Sequence, residues 1–239
     1  MGTRAARVAR DRRARRRCSR PAPRHAPPPP AGAATGTLTF APLRGVRVLD
    51  VTSSLAGPTC TQLLGALGAD VVKVERPGVG DEARDWGPSM FFAANAGKRS
   101  LALDLKDGRG RSLLAWLARR ADVLVESLRP GAAERLGVDP ASLDAPELVY
   151  CRIGAYGPGP LESNPGYDPL LQAFAGIMSV TGEQDGPPVR VGVSLVDYAT
   201  AWLASIAILA ALRERDATGK GRVVEVSLLE TALALAGYH

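Results

Sequence analysis

Between residues 46 and 153, short β-branched runs alternate with helix-length segments, and this alternation constrains the fold more than any other feature of the chain. Val46-Arg47-Val48-Leu49-Asp50-Val51 has strand composition. The following Ser53-Ser54-Leu55-Ala56-Gly57-Pro58 leads into a helix expected over 59–67, with Pro58 suited to its first turn and Gly68 to its stop. Asp70 to Glu75 is a second strand, ended by Pro77-Gly78, and Leu101 to Leu105 is a short third. A helix over 108–121 places Leu113, Leu114 and Leu117 on one face. Val123-Leu124-Val125, a helix from Ala132, and Leu148-Val149-Tyr150 with Ile153 continue the series. Apolar strands joined by crossover helices require a parallel sheet covered on both faces, so an α/β fold is expected.

Such sheets often bind dinucleotides, but this one lacks the signature. The segment after the first strand reads Ser-Ser-Leu-Ala-Gly-Pro, not G-x-G-x-x-G, and Pro58 removes an amide from the cradle. Gly78-Val79-Gly80-Asp81 follows the second strand and has no third glycine in register.

Charge divides the 239 residues in two. Residues 1–38 hold ten arginines and one acid, Asp11, for a charge of +9, whereas the remainder has 20 basic and 23 acidic side chains, for −3. The first segment also holds six prolines and little apolar surface, so it is expected to be disordered. It has no apolar core of a secretory signal, and its proline block interrupts any transit-peptide helix. An upstream start read through Arg/Pro/Ala-rich coding sequence is the preferred reading, with a transit peptide as the alternative. The body, residues 39–239, is mildly acidic, so specific nucleic-acid binding is not expected of it.

Cys18, Cys60 and Cys151 are widely spaced, and the two histidines, His25 and His239, accompany no CxxC. Neither a metal site nor a disulfide framework is expected, and the location is expected to be cytoplasmic. The longest apolar stretch, 199–212, is shorter than a bilayer span and suits a buried helix, so no membrane partner is expected.

Nine motifs then occur in one order: Leu43-Arg44-Gly45-Val46-Arg47-Val48-Leu49-Asp50; Ala56-Gly57-Pro58; Leu67-Gly68-Ala69-Asp70-Val71-Val72-Lys73-Val74-Glu75; Gly80-Asp81; Gly97-Lys98-Arg99-Ser100-Leu101-Ala102-Leu103-Asp104-Leu105-Lys106; Glu126-Ser127-Leu128-Arg129-Pro130-Gly131; Gly166-Tyr167-Asp168; Val196-Asp197; and Gly219-Lys220-Gly221. Over 43–239 the chain resembles the class III CoA-transferases (CaiB/BaiF type), the family that includes formyl-CoA transferase, carnitine CoA-transferase and α-methylacyl-CoA racemase. The resemblance implies a Rossmann-like parallel sheet with helices on both faces and a CoA-binding large domain over 39–239. It also implies coenzyme A, as acyl-CoA, and a carboxylic acid as substrates.

The transfer of CoA from a thioester to a free acid needs a nucleophile whose acyl adduct is comparable in energy, and a carboxylate qualifies. In water it is a poor nucleophile, so it must be desolvated and held against the carbonyl. By resemblance that residue is Asp197, which also begins an apolar helix through Leu212; taken alone, an Asp there reads as an N-cap. The racemases carry a His 30 residues before the matching aspartate, where this chain has Tyr167. A phenol is a poor general base near neutrality, so a racemase-like isomerase is the alternative to the transferase. Asp168 reads equally as a site neighbour or as a turn or cap residue.

The resemblance further implies that Arg76, Lys106 and Arg135 contact CoA and that Ala56, Leu103 and Leu128 line its pantetheine and adenine. Arg129 is a phosphate candidate on electrostatic grounds. Ser127-Leu128 departs from the commoner Asn-Phe, and Leu55 replaces the Gln of formyl-CoA transferase, implying a different acyl group. The family continues past the equivalent of His239 into a smaller domain, a return segment and an interlinked homodimer. The chain is therefore expected to be an incomplete large domain that ends in an apolar helix, 227–236, with no C-cap. A truncated CoA-binding remnant is a further alternative to an active enzyme.

Overall fold

The computed structural model describes residues 40–237. The expected disordered tail lies outside these residues. In chain order the elements are β1 (Arg47–Val51), α1 (Ala56–Ala66), β2 (Asp70–Glu75), α2 (Pro88–Asn95), β3 (Arg99–Ala102), α3 (Gly108–Ala118) and β4 (Val123–Glu126). They continue with α4 (Ala132–Leu136), α5 (Pro140–Leu143), β5 (Val149–Gly154), α6 (Asp168–Phe174), α7 (Leu195–Thr218), β6 (Val223–Ser227) and α8 (Leu228–Ala236).

All six strands are parallel in the order β3-β2-β1-β4-β5-β6, which is the Rossmann arrangement. Alternation along the strands builds two cores. Val48, Val71, Val123, Val125, Val149, Cys151 and Ile153 pack against α1, α6, α7 and α8. Leu49, Val51, Val74, Leu124 and Tyr150 pack on the other face against α3, α4 and α5. Leu114, fully buried on α3, anchors that second layer. Its truncation to Ala would cost about 2–5 kcal/mol, the lost transfer energy plus the cavity left behind.

The α/β class and the covering of both faces match the sequence reading, while several boundaries move. Helix α1 starts three residues before Thr59, at Ala56. β3 is Arg99–Ala102 rather than 101–105, because Val72 to Glu75 of β2 pair with Arg99 to Ala102. The extended residue after it, Leu103, gives its N–H to the Glu75 carbonyl at 2.9 Å. β6 was not expected; it is a five-residue edge strand, Val-Val-Glu-Val-Ser, whose residues alternate between exposed and half-buried up to the buried Ser227. Helix α7 runs 24 residues, so the length argument against a membrane span does not hold. What distinguishes α7 is that half of its apolar window is buried inside the fold, along α1 and the sheet. Helix α8 ends with Gly237 at its C-cap position.

Candidate active site at the carboxyl edge of the sheet

In an open parallel sheet, ligands bind beyond the carboxyl ends of the strands, where the strand order reverses. Here that point lies between β1 and β4. The loops leaving these strands meet where the Ser53 N–H donates to Ser127 Oγ at 3.2 Å.

A buried ion cluster, instead of a glycine cradle, shapes the loop after β1. Asp50 on β1, Lys73 on β2 and Asp81 after β2 are each at most 3% exposed. Lys73 Nζ lies 2.8 Å from Asp81 and 3.8 Å from Asp50, and donates to the Thr52 carbonyl at 2.9 Å. Lys98 Nζ reaches Asp50 at 2.8 Å, the Pro58 carbonyl at 2.7 Å and Asn95 at 2.8 Å. Asp50 also accepts from the hydroxyls of Thr52 and Thr61, and Asp81 from the N–H groups of Ser54 and Ala83. Burial would raise the pKa of Asp50, but the charges of Lys73 and Lys98 outweigh it and hold it at about 2. In the sequence these four charged residues belong to separate motifs, and nothing there places them together. The signal was a charged residue inside an apolar strand run, Asp50 in β1 and Lys73 in β2, which pair as neighbours.

At β4, Glu126 is buried and accepts from the Leu128 N–H at 2.6 Å, Tyr150 Oη at 3.2 Å and Arg152 Nε at 3.0 Å. Burial raises its pKa despite these donors. It thereby fixes the backbone that presents Leu128 and Arg129.

The residues expected to hold CoA follow the carboxyl ends of successive strands. Ala56 opens α1 after β1, Arg76 follows β2, Leu103 and Lys106 follow β3, and Leu128, Arg129 and, on α4, Arg135 follow β4. Ala56 and Leu103 are buried and Leu128 is half-buried, while the four cations are exposed. Among the described residues no carboxylate forms an ion pair with Arg76, Lys106, Arg129 or Arg135. The Arg135 guanidinium donates to the Gly131 carbonyl at 2.8 Å, and that of Arg111 to the Lys106 carbonyl at 2.8 Å, which steadies both loops.

Asp197 belongs to the first turn of α7. As crossovers of a parallel sheet, α1 and α7 both begin at the carboxyl edge, so Asp197 shares that edge with the other candidates. It is not an N-cap: Ser194 occupies that position and makes no side-chain cap. The backbone N–H groups of Val196 and Asp197 instead reach the Asp168 carboxylate at 2.7 and 3.2 Å. Asp168 is therefore a cap residue, serving a helix other than its own. The half-buried Asp197 side chain accepts no hydrogen bond from a described residue. Burial first, and the Asp168 charge second, push its pKa up to about 7, against a smaller opposing effect of Arg190.

A cavity of about 310 Å³ lies elsewhere, at the amino ends of β5 and β6 between Leu148, Tyr150, Arg222 and Val223, and holds none of these residues. Among the described residues no group of three or more His, Cys, Asp or Glu side chains is placed to hold a metal ion.

The family model for CoA-transferase family III matches residues 43–239. Succinyl-CoA:glutarate CoA-transferase of Mus musculus is 44% identical over 203 residues, covering 81% of this chain and 47% of that protein. Formyl-CoA:oxalate CoA-transferase of Streptomyces avermitilis is 42% identical over 202 residues, covering 81% and 49%. A CAIB/BAIF family protein from Brucella suis superposes with a TM-score of 0.80 at 38% identity, over 83% of this chain and 56% of that one. The chain thus spans about half the length of the curated relatives it matches. With its fold, its motif order and these matches in agreement, the chain belongs to the CoA-transferase family III.

Proposed function

We propose that this chain carries the CoA-handling part of an enzyme that moves CoA between an acyl-CoA thioester and a free carboxylic acid, with Asp197 as nucleophile. The observation that carries this reading is the Asp197 carboxylate: half-buried, free of described hydrogen-bond donors and held at a raised pKa of about 7. Such a group is about half ionised at pH 7 and largely ionised only from ~pH 8 upward, and its ionised form is less stabilised by solvent and donors than an ordinary carboxylate, so it is the more reactive nucleophile.

Its oxygen attacks the thioester carbonyl, the C–S bond breaks, and CoA leaves as thiolate, giving a mixed anhydride. The thiolate then attacks the Asp197 carbonyl carbon and releases the donor acid, leaving CoA as a thioester on Asp197. The acceptor carboxylate attacks that thioester and expels the thiolate, which takes the acceptor acyl group from the second anhydride and restores Asp197. Arg76, Lys106, Arg129 and Arg135 are read as contacts to the CoA phosphates, and Ala56, Leu103 and Leu128 as its apolar contacts. Binding energy from this non-reacting body favours the desolvated approach at the carbonyl. A dicarboxylic acceptor is the first to test, since the relatives above are named for glutarate and oxalate.

The test follows transfer of labelled glutarate into its CoA ester from succinyl-CoA by the full chain and its Asp197→Asn variant. Transfer abolished by the substitution, with CoA binding retained, supports the reading. Equal transfer by the variant refutes it, and saturable CoA binding without transfer by either protein favours a chain that only binds CoA.

A further inference from the structure

Acyl transfer as described leaves one buried group beside the nucleophile without a role. Asp168, the first residue of α6, is 2% exposed. Its Oδ2 accepts the N–H groups of Val196 and Asp197, and its Oδ1 accepts Gln172 Nε2 at 2.7 Å. Gln172 is fully buried, and its Oε1 accepts the Val191 N–H at 2.9 Å. Two side chains of α6 thus grip both the segment entering α7 and the first turn of α7. The first N–H groups of a helix have no partner within it and commonly engage an acid of the first turn or the N-cap. Here they are already taken.

We infer that Asp168 is a positioning residue for Asp197: clamped by Gln172, its carboxylate caps α7 from another helix and so leaves the Asp197 carboxylate undocked, facing a fixed negative charge. Burial is the first cause of the raised pKa, and the geometry adds to it, because the same carboxylate occupies the donors that would stabilise Asp197 and adds repulsion beside it. The charged groups that act on Asp197 are Asp168 from α6 and Arg190 from the segment before α7. Tyr167 and Tyr198 adjoin the two aspartates in sequence. Helix α1, packed along α7, presents Cys60 to Ser205, about two turns further on. The inference rests on the proposed reaction only for its catalytic consequence.

The test titrates the aspartate carboxyl carbons of the full chain by NMR, with Asp197 assigned through Asp197→Asn. Asp197 is expected to titrate near 7 in the parent, and at least ~1 pH unit lower in Asp168→Asn and Asp168→Ser. An Asp197 titration unmoved in both folded variants overturns the role. Should the variants unfold, amide exchange in the parent decides: Val196 and Asp197 amides slowed by at least ~100-fold support the cap, and unprotected amides overturn it. Continued CoA transfer by Asp197→Asn would refute the nucleophile without touching this result.

Discussion

At the level of single residues, Asp197 is set apart by what it lacks. An acid in the first turn of a helix ordinarily settles onto backbone N–H groups; here Asp168 holds them. This has a thermodynamic signature. The folded-state pKa of about 7 lies above the ordinary aspartate value of 3.8, so ionising Asp197 costs the fold stability as pH rises from the unfolded value through the folded one. Asp197→Asn should therefore match the parent at pH 4 and exceed it by ~1–3 kcal/mol at pH 8. Urea unfolding at the two pH values measures this, and an equal difference at both would contradict it. Asp50 behaves in the opposite sense: with its pKa held at about 2, its contribution is present above ~4 and is lost as pH falls toward 2.

Elements, and the loops between them, carry the rest of the site. The ion cluster of Asp50, Lys73, Asp81 and Lys98 ties three strands to the loop that precedes α1. Lys98→Met should destabilise the chain by ~3–5 kcal/mol, because it strands part of a buried charge while leaving its volume filled. Denaturant unfolding checks this; a loss below ~1 kcal/mol would show that the cluster is not held as described. Gly57 explains the Ala56-Gly57-Pro58 motif, since a Cβ there would lie 2.4 Å from Thr52 Cβ. Gly57→Ala should cost ~1–3 kcal/mol by overpacking and weaken CoA binding by displacing Ala56, as calorimetry with CoA would register. The sequence pattern revealed β1, β2, β4 and β5 because both of their faces are buried and mostly Val, Leu or Ile. β3 was found two residues late, because its first residues, Arg99 and Ser100, are polar, while the short α2 and the edge strand β6 escaped it, being only eight and five residues long and mostly exposed or half-buried. Asp168 carried two equal readings in the sequence, because the partner of a cap 28 residues away is a product of tertiary packing.

Over the whole molecule, the strand order converts motifs spread over 150 residues into one edge. The proposed CoA contacts were legible through the family resemblance, Arg129 alone being read from its charge. In the structure the four cations follow β2, β3 and β4 and are free of described carboxylates. Lys106→Ala and Arg135→Ala should each weaken CoA binding by ~3–10-fold, and the parent affinity should fall as salt rises through the range where the Debye length shrinks below ~10 Å. Affinity insensitive to both changes would place the CoA phosphates elsewhere. The central claim is that Asp197 carries the acyl group and then CoA. Incubation of the full chain with succinyl-CoA, quenching with borohydride and peptide mass mapping should find Asp197 reduced to the alcohol, in a yield that rises with succinyl-CoA and disappears in Asp197→Asn. Saturated succinyl-CoA binding with an unmodified Asp197, or reduction at another carboxylate, would contradict it.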